Sequence, residues 1–153
     1  MAQINKVGHV VLKVKDPDAS AEWYRKALGM EIMTRSEEYH IVFLSFGTQH
    51  HDIALMKAPD GAQLGGIGIA HVAMQISGGV AELQQLYGRL VEAGARINHV
   101  WEHSVSKSIY FFDPDGIELE IFCEKMSPEE GREVMRQSDG GADPLELEPT
   151  FAS

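Results

Sequence analysis

Cysteine, positive charge and long apolar stretches are all scarce in this chain of 153 residues. The single cysteine, Cys123, excludes an intramolecular disulfide and a zinc site built from thiolates, and its place among strand apolar residues indicates packing. Lys and Arg number 13 against 23 Asp and Glu, and the net charge of −10 argues against binding to nucleic acid or to an anionic membrane. No apolar run approaches the roughly 20 residues that a spanning helix needs, and no leader pattern opens the chain, so we expect a cytoplasmic protein.

Two successive stretches of the chain show the same order of predicted elements. The first is predicted to hold a strand, a helix and three strands, at residues 4–14, 17–28, 31–35, 40–46 and 51–57. After a linker containing Gly and Pro, the second is predicted to hold the same elements, at residues 68–77, 80–93, 96–101, 108–112 and 117–122. Each stretch is therefore predicted to be a βαβββ module.

An internal duplication relates the two modules. When residues 8–14 are laid on residues 70–76, an offset of 62 residues superposes His9 on His71. With a few extra residues in the second module, the last strands also align and place Ala54 on Glu120. The chain is therefore predicted to hold one domain over residues 1–126, with modules at about 4–57 and 67–123.

Glu120 lies in the middle of the last predicted strand, after the turn Asp113-Pro114-Asp115-Gly116. Alternation puts it opposite the apolar residues of that strand, so the carboxylate either faces water or needs a compensating cation. His9 and His71 likewise lie opposite the faces that should cover the helices, and a lone strand histidine is more often a packing residue. Two matching histidines and one carboxylate inside a curved sheet instead predict the facial triad of a non-haem Fe(II) site, which Mn(II) or zinc also suits.

The two modules and their three candidate ligands resemble the vicinal oxygen chelate superfamily over residues 4–123. The resemblance implies an α+β fold in which two tandem βαβββ modules form a curved eight-stranded open barrel around a metal site. The superfamily includes glyoxalase I, epimerases, fosfomycin-resistance enzymes, metal-free drug-binding proteins and extradiol dioxygenases, so the reaction must come from the site. Glyoxalase I has a fourth carboxylate ligand where Ala54 aligns, which disfavours that assignment.

Two further motifs resemble those of extradiol ring-cleavage dioxygenases. One is His103-x5-Ile109-Tyr110-x2-Asp113-Pro114-x-Gly116-x3-Glu120, which departs from the family signature where Trp101 replaces a small or aliphatic residue. The other is His50-His51-Asp52-Ile53-Ala54-Leu55. The resemblance implies that His51 transfers protons, that Tyr110 hydrogen-bonds the substrate and that His103 is a donor near it. Without the resemblance, Tyr110 would be taken for a core tyrosine and His103 for a solvent-exposed loop histidine. His50 is predicted to pack or to orient a neighbour, and His40 and His99 to pack or to lie at the surface.

These observations predict an Fe(II)-dependent extradiol, or meta-cleaving, dioxygenase of aromatic catabolism that opens a catecholic ring with O₂. Mn(II) is the alternative metal, and a homo-oligomer with closed symmetry is expected. Two other functions stay open. A metal-dependent lyase, epimerase or thiol transferase of the same superfamily would use the three ligands without O₂, and a small-molecule-binding module would use no metal.

The tail over residues 127–153 lies beyond the duplication and is rich in acidic residues. Ser127-Pro128-Glu129-Glu130 is typical of a helix start, with serine as the N-cap, and predicts a short helix that ends at about Gln137. The remaining residues, rich in Pro and acids, are predicted to be either disordered or packed against a neighbouring module or subunit.

Overall fold

The computed structural model describes residues 1–152. Its chain divides into two compact units, Met1–Gln63 and Leu64–Ser153. The division falls in the linker that separates the two predicted modules, and each unit is an α+β structure with a mixed sheet.

The first unit has the predicted βαβββ order. Its elements are β1 Val10–Val14, α1 Pro17–Leu28, β2 Glu31–Ser36, β3 Ile41–Ser45 and β4 Ile53–Lys57. The sheet order is β1-β4-β3-β2, with β1 parallel to β4 and the other neighbours antiparallel. The helix begins as predicted, because the Asp16 carboxylate accepts a hydrogen bond from the Ala19 amide at 3.0 Å, and it ends at Gly29, whose φ is 71°.

The second unit repeats this order and adds two elements from the tail. Its elements are β5 Val72–Gln75, α2 Val80–Glu92, β6 Arg96–His103, β7 Ser106–Phe112, β8 Glu118–Glu124, α3 Pro128–Gln137 and β9 Ala142–Pro144. The sheet order is β5-β8-β7-β6-β9, so its first four strands follow the order of the first unit. The core between this sheet and α2 contains buried apolar residues from both, including Leu83, Leu90, Ile109, Phe111 and Leu119.

The strand register supports the internal duplication at the level of single residues. Ala54 pairs with Val11 in the first sheet, and Glu120 pairs with Ala73 in the second. Since Val11 and Ala73 are separated by the same offset as the two repeat histidines, Ala54 and Glu120 hold equivalent places. The alignment of these two residues is therefore confirmed.

Three expectations need correction. The strands near residues 4–14 and 68–77 are shorter than predicted, because their parallel partners begin only at Ile53 and Glu118 and leave earlier residues nothing to pair with. His9 and His71 consequently lie one residue before β1 and β5. The single eight-stranded open barrel is not confirmed, since the strands form one sheet of four and one of five.

The tail packs against its own unit. Strand β9 pairs antiparallel with β6, and further on the Thr150 amide donates to the Gln84 carbonyl of α2 at 2.9 Å. The Gln84 side chain donates in turn to the Glu148 carbonyl at 3.0 Å. Among residues 1–152, no helix has the length and apolar character that crossing a membrane requires.

Candidate active site

The Asp113 turn sets the position of the last strand of the second unit. The Asp113 side chain is buried, and its carboxylate accepts hydrogen bonds from the Asp115 and Ile117 amides at 2.9 Å each. The Gly116 amide donates to the Asp113 carbonyl at 3.0 Å. The backbone φ of Gly116 is 87°, a value that glycine adopts without strain. This closed turn fixes the register in which β8 leaves, and that register places Glu120 opposite Tyr110.

Glu120 is a second buried carboxylate of this unit. Only 6% of the residue is exposed, and it lies on the sheet face opposite Leu119 and Ile121, which pack in the core. Its Oε2 atom is 3.1 Å from Nε2 of His71, whose side chain is 37% exposed. A buried carboxylate is costly without a cationic or hydrogen-bonding partner, so the imidazole accounts for part of its placement.

Tyr110, on the neighbouring strand β7, lies beside Glu120 and adds a third residue to this group. Burial, together with the charge and hydrogen bonding of the neighbouring Glu120 carboxylate, raises the pKa of Tyr110 to about 12. Its hydroxyl is 2.9 Å from Nε2 of His103. The second unit thus brings together four of the residues singled out in the sequence, and Tyr110 stays a neutral phenol at ordinary pH.

An aromatic cluster on β6, which the sequence did not predict, flanks Tyr110. The His99 ring stacks on the Tyr110 ring with centroids 4.2 Å apart, and the Trp101 ring lies 4.1 Å from that of His99. His99 was predicted to be a surface or packing residue. The alternation of His99, Trp101 and His103 along one strand is the signal that could have found the cluster.

Ser108 is a second residue that the sequence did not single out. Its side chain is completely buried. Among residues 1–152 its Oγ atom has no hydrogen bond of good geometry, although the hydroxyl acts on Tyr110 and partly opposes the rise in the pKa of that residue. It pairs with Trp101 across β6 and with Phe122 across β8, two residues along β7 from Tyr110. Its hydroxyl therefore lies on the same sheet face as the Tyr110 and Glu120 side chains.

A cavity of about 200 Å³ opens beside these residues in the second unit. His103, Tyr110 and Glu120 line one side of it. Met135, Ser138 and the two glycines that follow line the other side, and they come from the end of α3 and the residues after it. The tail therefore forms part of the wall of the candidate site.

The first unit brings His9 and His51 together. Their ring centroids are 4.5 Å apart, and the Nδ1 atoms of His50 and His51 are 2.6 Å apart, so one nitrogen donates and the other accepts. Desolvation lowers the pKa of His51, and the neighbouring His9 and His50 lower it further, against the opposing charge of Asp52. His51 is therefore predominantly neutral at neutral pH, which leaves a ring nitrogen able to accept a proton.

Each unit holds part of the predicted ligand set. His9 lies in the first unit, and His71 and Glu120 lie in the second. Within residues 1–152, neither unit by itself groups three His, Cys, Asp or Glu side chains so that they could hold a metal ion. The assignment of His9, His71 and Glu120 as ligands therefore stays a prediction.

Comparison with curated proteins finds a relative that aligns with most of this chain. The chain is 28% identical over 149 residues to biphenyl-2,3-diol 1,2-dioxygenase 2 from Rhodococcus globerulus. The aligned region covers 95% of this chain and 77% of the relative. At this identity the relative does not fix the reaction, which has to be argued from the site.

Comparison with solved structures supports the fold. A glyoxylase/bleomycin resistance protein/dioxygenase domain from Frankia sp. EAN1pec has a TM-score of 0.68 and 26% identity, covering 80% of this chain and 100% of that domain. The fosfomycin resistance protein FosX from Listeria monocytogenes has a TM-score of 0.66 and 21% identity, covering 84% of this chain and 99% of that protein. The family model described as the Glyoxalase/Bleomycin resistance protein/Dioxygenase superfamily matches residues 6–121. The chain therefore belongs to this superfamily.

Proposed function

We propose that this protein is an Fe(II)-dependent extradiol dioxygenase, which uses O₂ to open a catecholic ring next to its two hydroxyl groups. The observation that carries the proposal is the contact series from His71 through Glu120 and Tyr110 to His103. It combines two side chains of the types that bind Fe(II) with two that can hydrogen-bond a catechol. The Rhodococcus relative is named as a diol dioxygenase, which supports the same reaction class.

The residues present fit an iron ion. Glu120 is a buried carboxylate whose Oε2 atom lies beside an imidazole nitrogen, and one carboxylate with imidazoles is the donor set of non-haem Fe(II) oxygenases. His9 enters the proposal through the sequence repeat, as the counterpart of His71, and Ala54 holds the place equivalent to Glu120 without a donor atom. Bound Fe(II) would supply the binding of both catechol oxygens and the activation of O₂, and Mn(II) could replace it.

The protein's own side chains would then handle the substrate's protons and hydrogen bonds. Tyr110 donates its hydroxyl hydrogen to a substrate oxygen. His103 orients that hydroxyl through the contact at 2.9 Å. His51, whose lowered pKa keeps it neutral, accepts a substrate hydroxyl proton at a ring nitrogen and returns it later.

Anaerobic loading with Fe(II) followed by metal analysis and O₂ uptake tests the proposal. We expect one iron per chain, and O₂ consumption with a ring-opened semialdehyde product when catechols are added. Iron binding without O₂ uptake on any catechol would instead favour a lyase, epimerase or thiol transferase of the superfamily. A folded protein that binds no metal would favour a small-molecule-binding module.

A further inference from the structure

The tail segment over residues 127–144, here called the strap, forms α3 and β9. Its first end is fixed by the Ser127 cap, where the serine Oγ accepts from the Glu130 amide at 3.3 Å and the Glu130 carboxylate accepts from the Ser127 amide at 3.1 Å. Its second end is fixed by the pairing of β9 with β6, in which Ala142 lies opposite His103. The strap is thus anchored at both ends to the sheet that carries the site.

Between these anchors the strap is loosely packed. None of the residues of α3 is buried. A cavity of about 420 Å³ lies under the helix. Its lining includes Val105 and Glu124 on the sheet side and Gly131, Arg132, Met135 and Arg136 on the helix side. Most helices of soluble proteins bury an apolar face, so this unfilled space indicates a surface that something else can occupy.

Met135 lies beside two cavities of the second unit. Its side chain lines both the 420 Å³ cavity under α3 and the 200 Å³ cavity beside Tyr110 and Glu120. Val105 is the other residue common to both linings. The cavity beside Tyr110 suits one substituted ring, because a cavity of about 150 Å³ holds benzene.

We infer that Met135 is a specificity-determining residue that limits the substrate to a catechol with one ring. This inference rests on the proposed function, because it concerns the ring that the same site would bind. The Met135 side chain stands where a second ring attached to the catechol would enter the space under α3. Removing that side chain joins the two cavities, and the combined space accepts a catechol with two rings.

Met135→Ala tests this inference with two ligands, catechol and biphenyl-2,3-diol. The variant should gain affinity for the two-ring diol relative to catechol by about 10-fold. This is the low end of the range for a steric change in a hydrophobic pocket, because Glu124, Arg132 and Arg136 also line the space under α3. Binding is measured anaerobically as a dissociation constant, and kcat/KM for O₂ uptake is measured separately. Met135 is 50% exposed, so the substitution leaves the core of the unit intact.

Three further variants make the result specific. Met135→Leu nearly conserves volume and should keep the wild-type preference, and Glu129→Ala truncates an exposed residue of α3 that lines neither cavity. Met135→Trp narrows the site and should weaken the two-ring diol further. An unchanged ratio of dissociation constants in both Met135→Ala and Met135→Trp would overturn the inference, as would wild-type protein that prefers the two-ring diol. Catechol binding without O₂ uptake would overturn the proposed function alone.

Discussion

At the scale of single residues, the site joins groups whose chemistry depends on their neighbours. A tyrosine on a strand and a histidine near a turn are ordinary residues in isolation. Here Tyr110 lies between the Glu120 carboxylate and the His103 ring, and the carboxylate and burial together hold its phenol in the neutral form. A neutral phenol can donate a hydrogen bond to a substrate oxygen, whereas a phenolate cannot.

Tyr110→Phe should lower kcat by ~10²–10³-fold, because it removes one preorganised donor from the site. Iron content should stay at the wild-type level, since the phenol is not among the proposed ligands. Phenolate absorbance during an alkaline titration should show one tyrosine that ionises near pH 12 in the wild type and is missing in the variant. Because this pKa is raised above the ordinary value of about 10, the stability it contributes is present below pH 10 and is lost as the pH rises through 12.

His51 is proposed to accept a proton from the substrate, whereas Tyr110 is proposed to donate a hydrogen bond to it. His51→Gln keeps a polar side chain and should leave iron content and catechol binding intact, while turnover falls by ~10²–10⁴-fold. The lowered pKa of His51 predicts that the acid limb of the wild-type pH–rate profile lies below the ordinary histidine value and disappears in the variant. Loss of iron from His51→Gln would make this histidine a ligand, and wild-type turnover at every pH would leave it without a role.

At the scale of elements, the tail is held by a feature that its own sequence does not show. Gly88 lies inside α2, where glycine costs ~0.5–1 kcal/mol relative to alanine. A Cβ atom at this position would overlap the Thr150 carbonyl oxygen, which is a backbone atom and cannot swing away. The glycine therefore leaves room for residues 148–151 to cross the helix.

Gly88→Ala should release the segment over residues 148–151 while α2 stays folded. The hydrogen bonds of Gln84 with Thr150 and Glu148 would break, so amide exchange in this segment should speed up several-fold with little change in Tm. Gly131→Ala is the matched control, because its Cβ would meet Met126 and Val105 at ordinary distances of 3.8 and 3.9 Å. Equal protection of residues 148–151 in both variants would contradict this account of Gly88.

Sequence periodicity predicted most of the elements, because local patterns decide them. Asp16 and Ser127 start the helices as expected, and the Asp113 turn forms with its expected hydrogen bonds. The aromatic stack was missed for a physical reason. Alternation places His99, Trp101 and His103 on one face of β6, but it does not predict which residue of β7 they face. A register shift between Ile97 and His99 inserts one residue into β6 and places His99 opposite Tyr110.

The contacts of the tail with the rest of its unit also could not be predicted from the sequence. The pairing of β9 with β6 and the crossing of α2 at Gly88 are contacts between distant segments, and no local pattern specifies them. Glu120 could be identified as a candidate site residue from the sequence, because both the repeat and the motif around Asp113 point to it. The structure brings that residue to His71 and brings Tyr110 to His103, while the roles of these residues stay predictions.

At the scale of the whole molecule, the duplication is the feature that organises the chain. Two units with the same strand order carry a histidine immediately before the first strand of each sheet, and equivalent places on the last strand carry Ala54 and Glu120. The copies have therefore diverged at the carboxylate while keeping the histidines. Under the proposed function, the two histidines and the one carboxylate are the protein ligands of the iron ion.

Substituting the repeat histidine of each unit in turn tests whether both histidines bind the iron ion. His9→Ala and His71→Ala should each reduce iron from one per chain to near zero, although the residues belong to different units. His40→Asn is the control, since His40 is an exposed turn histidine with a φ of 48° that asparagine also tolerates. Metal analysis after anaerobic loading gives the stoichiometry, and circular dichroism shows that each variant is folded. Iron retained in His9→Ala but lost in His71→Ala would confine the metal to the second unit, and the repeat would then reflect ancestry without a shared site.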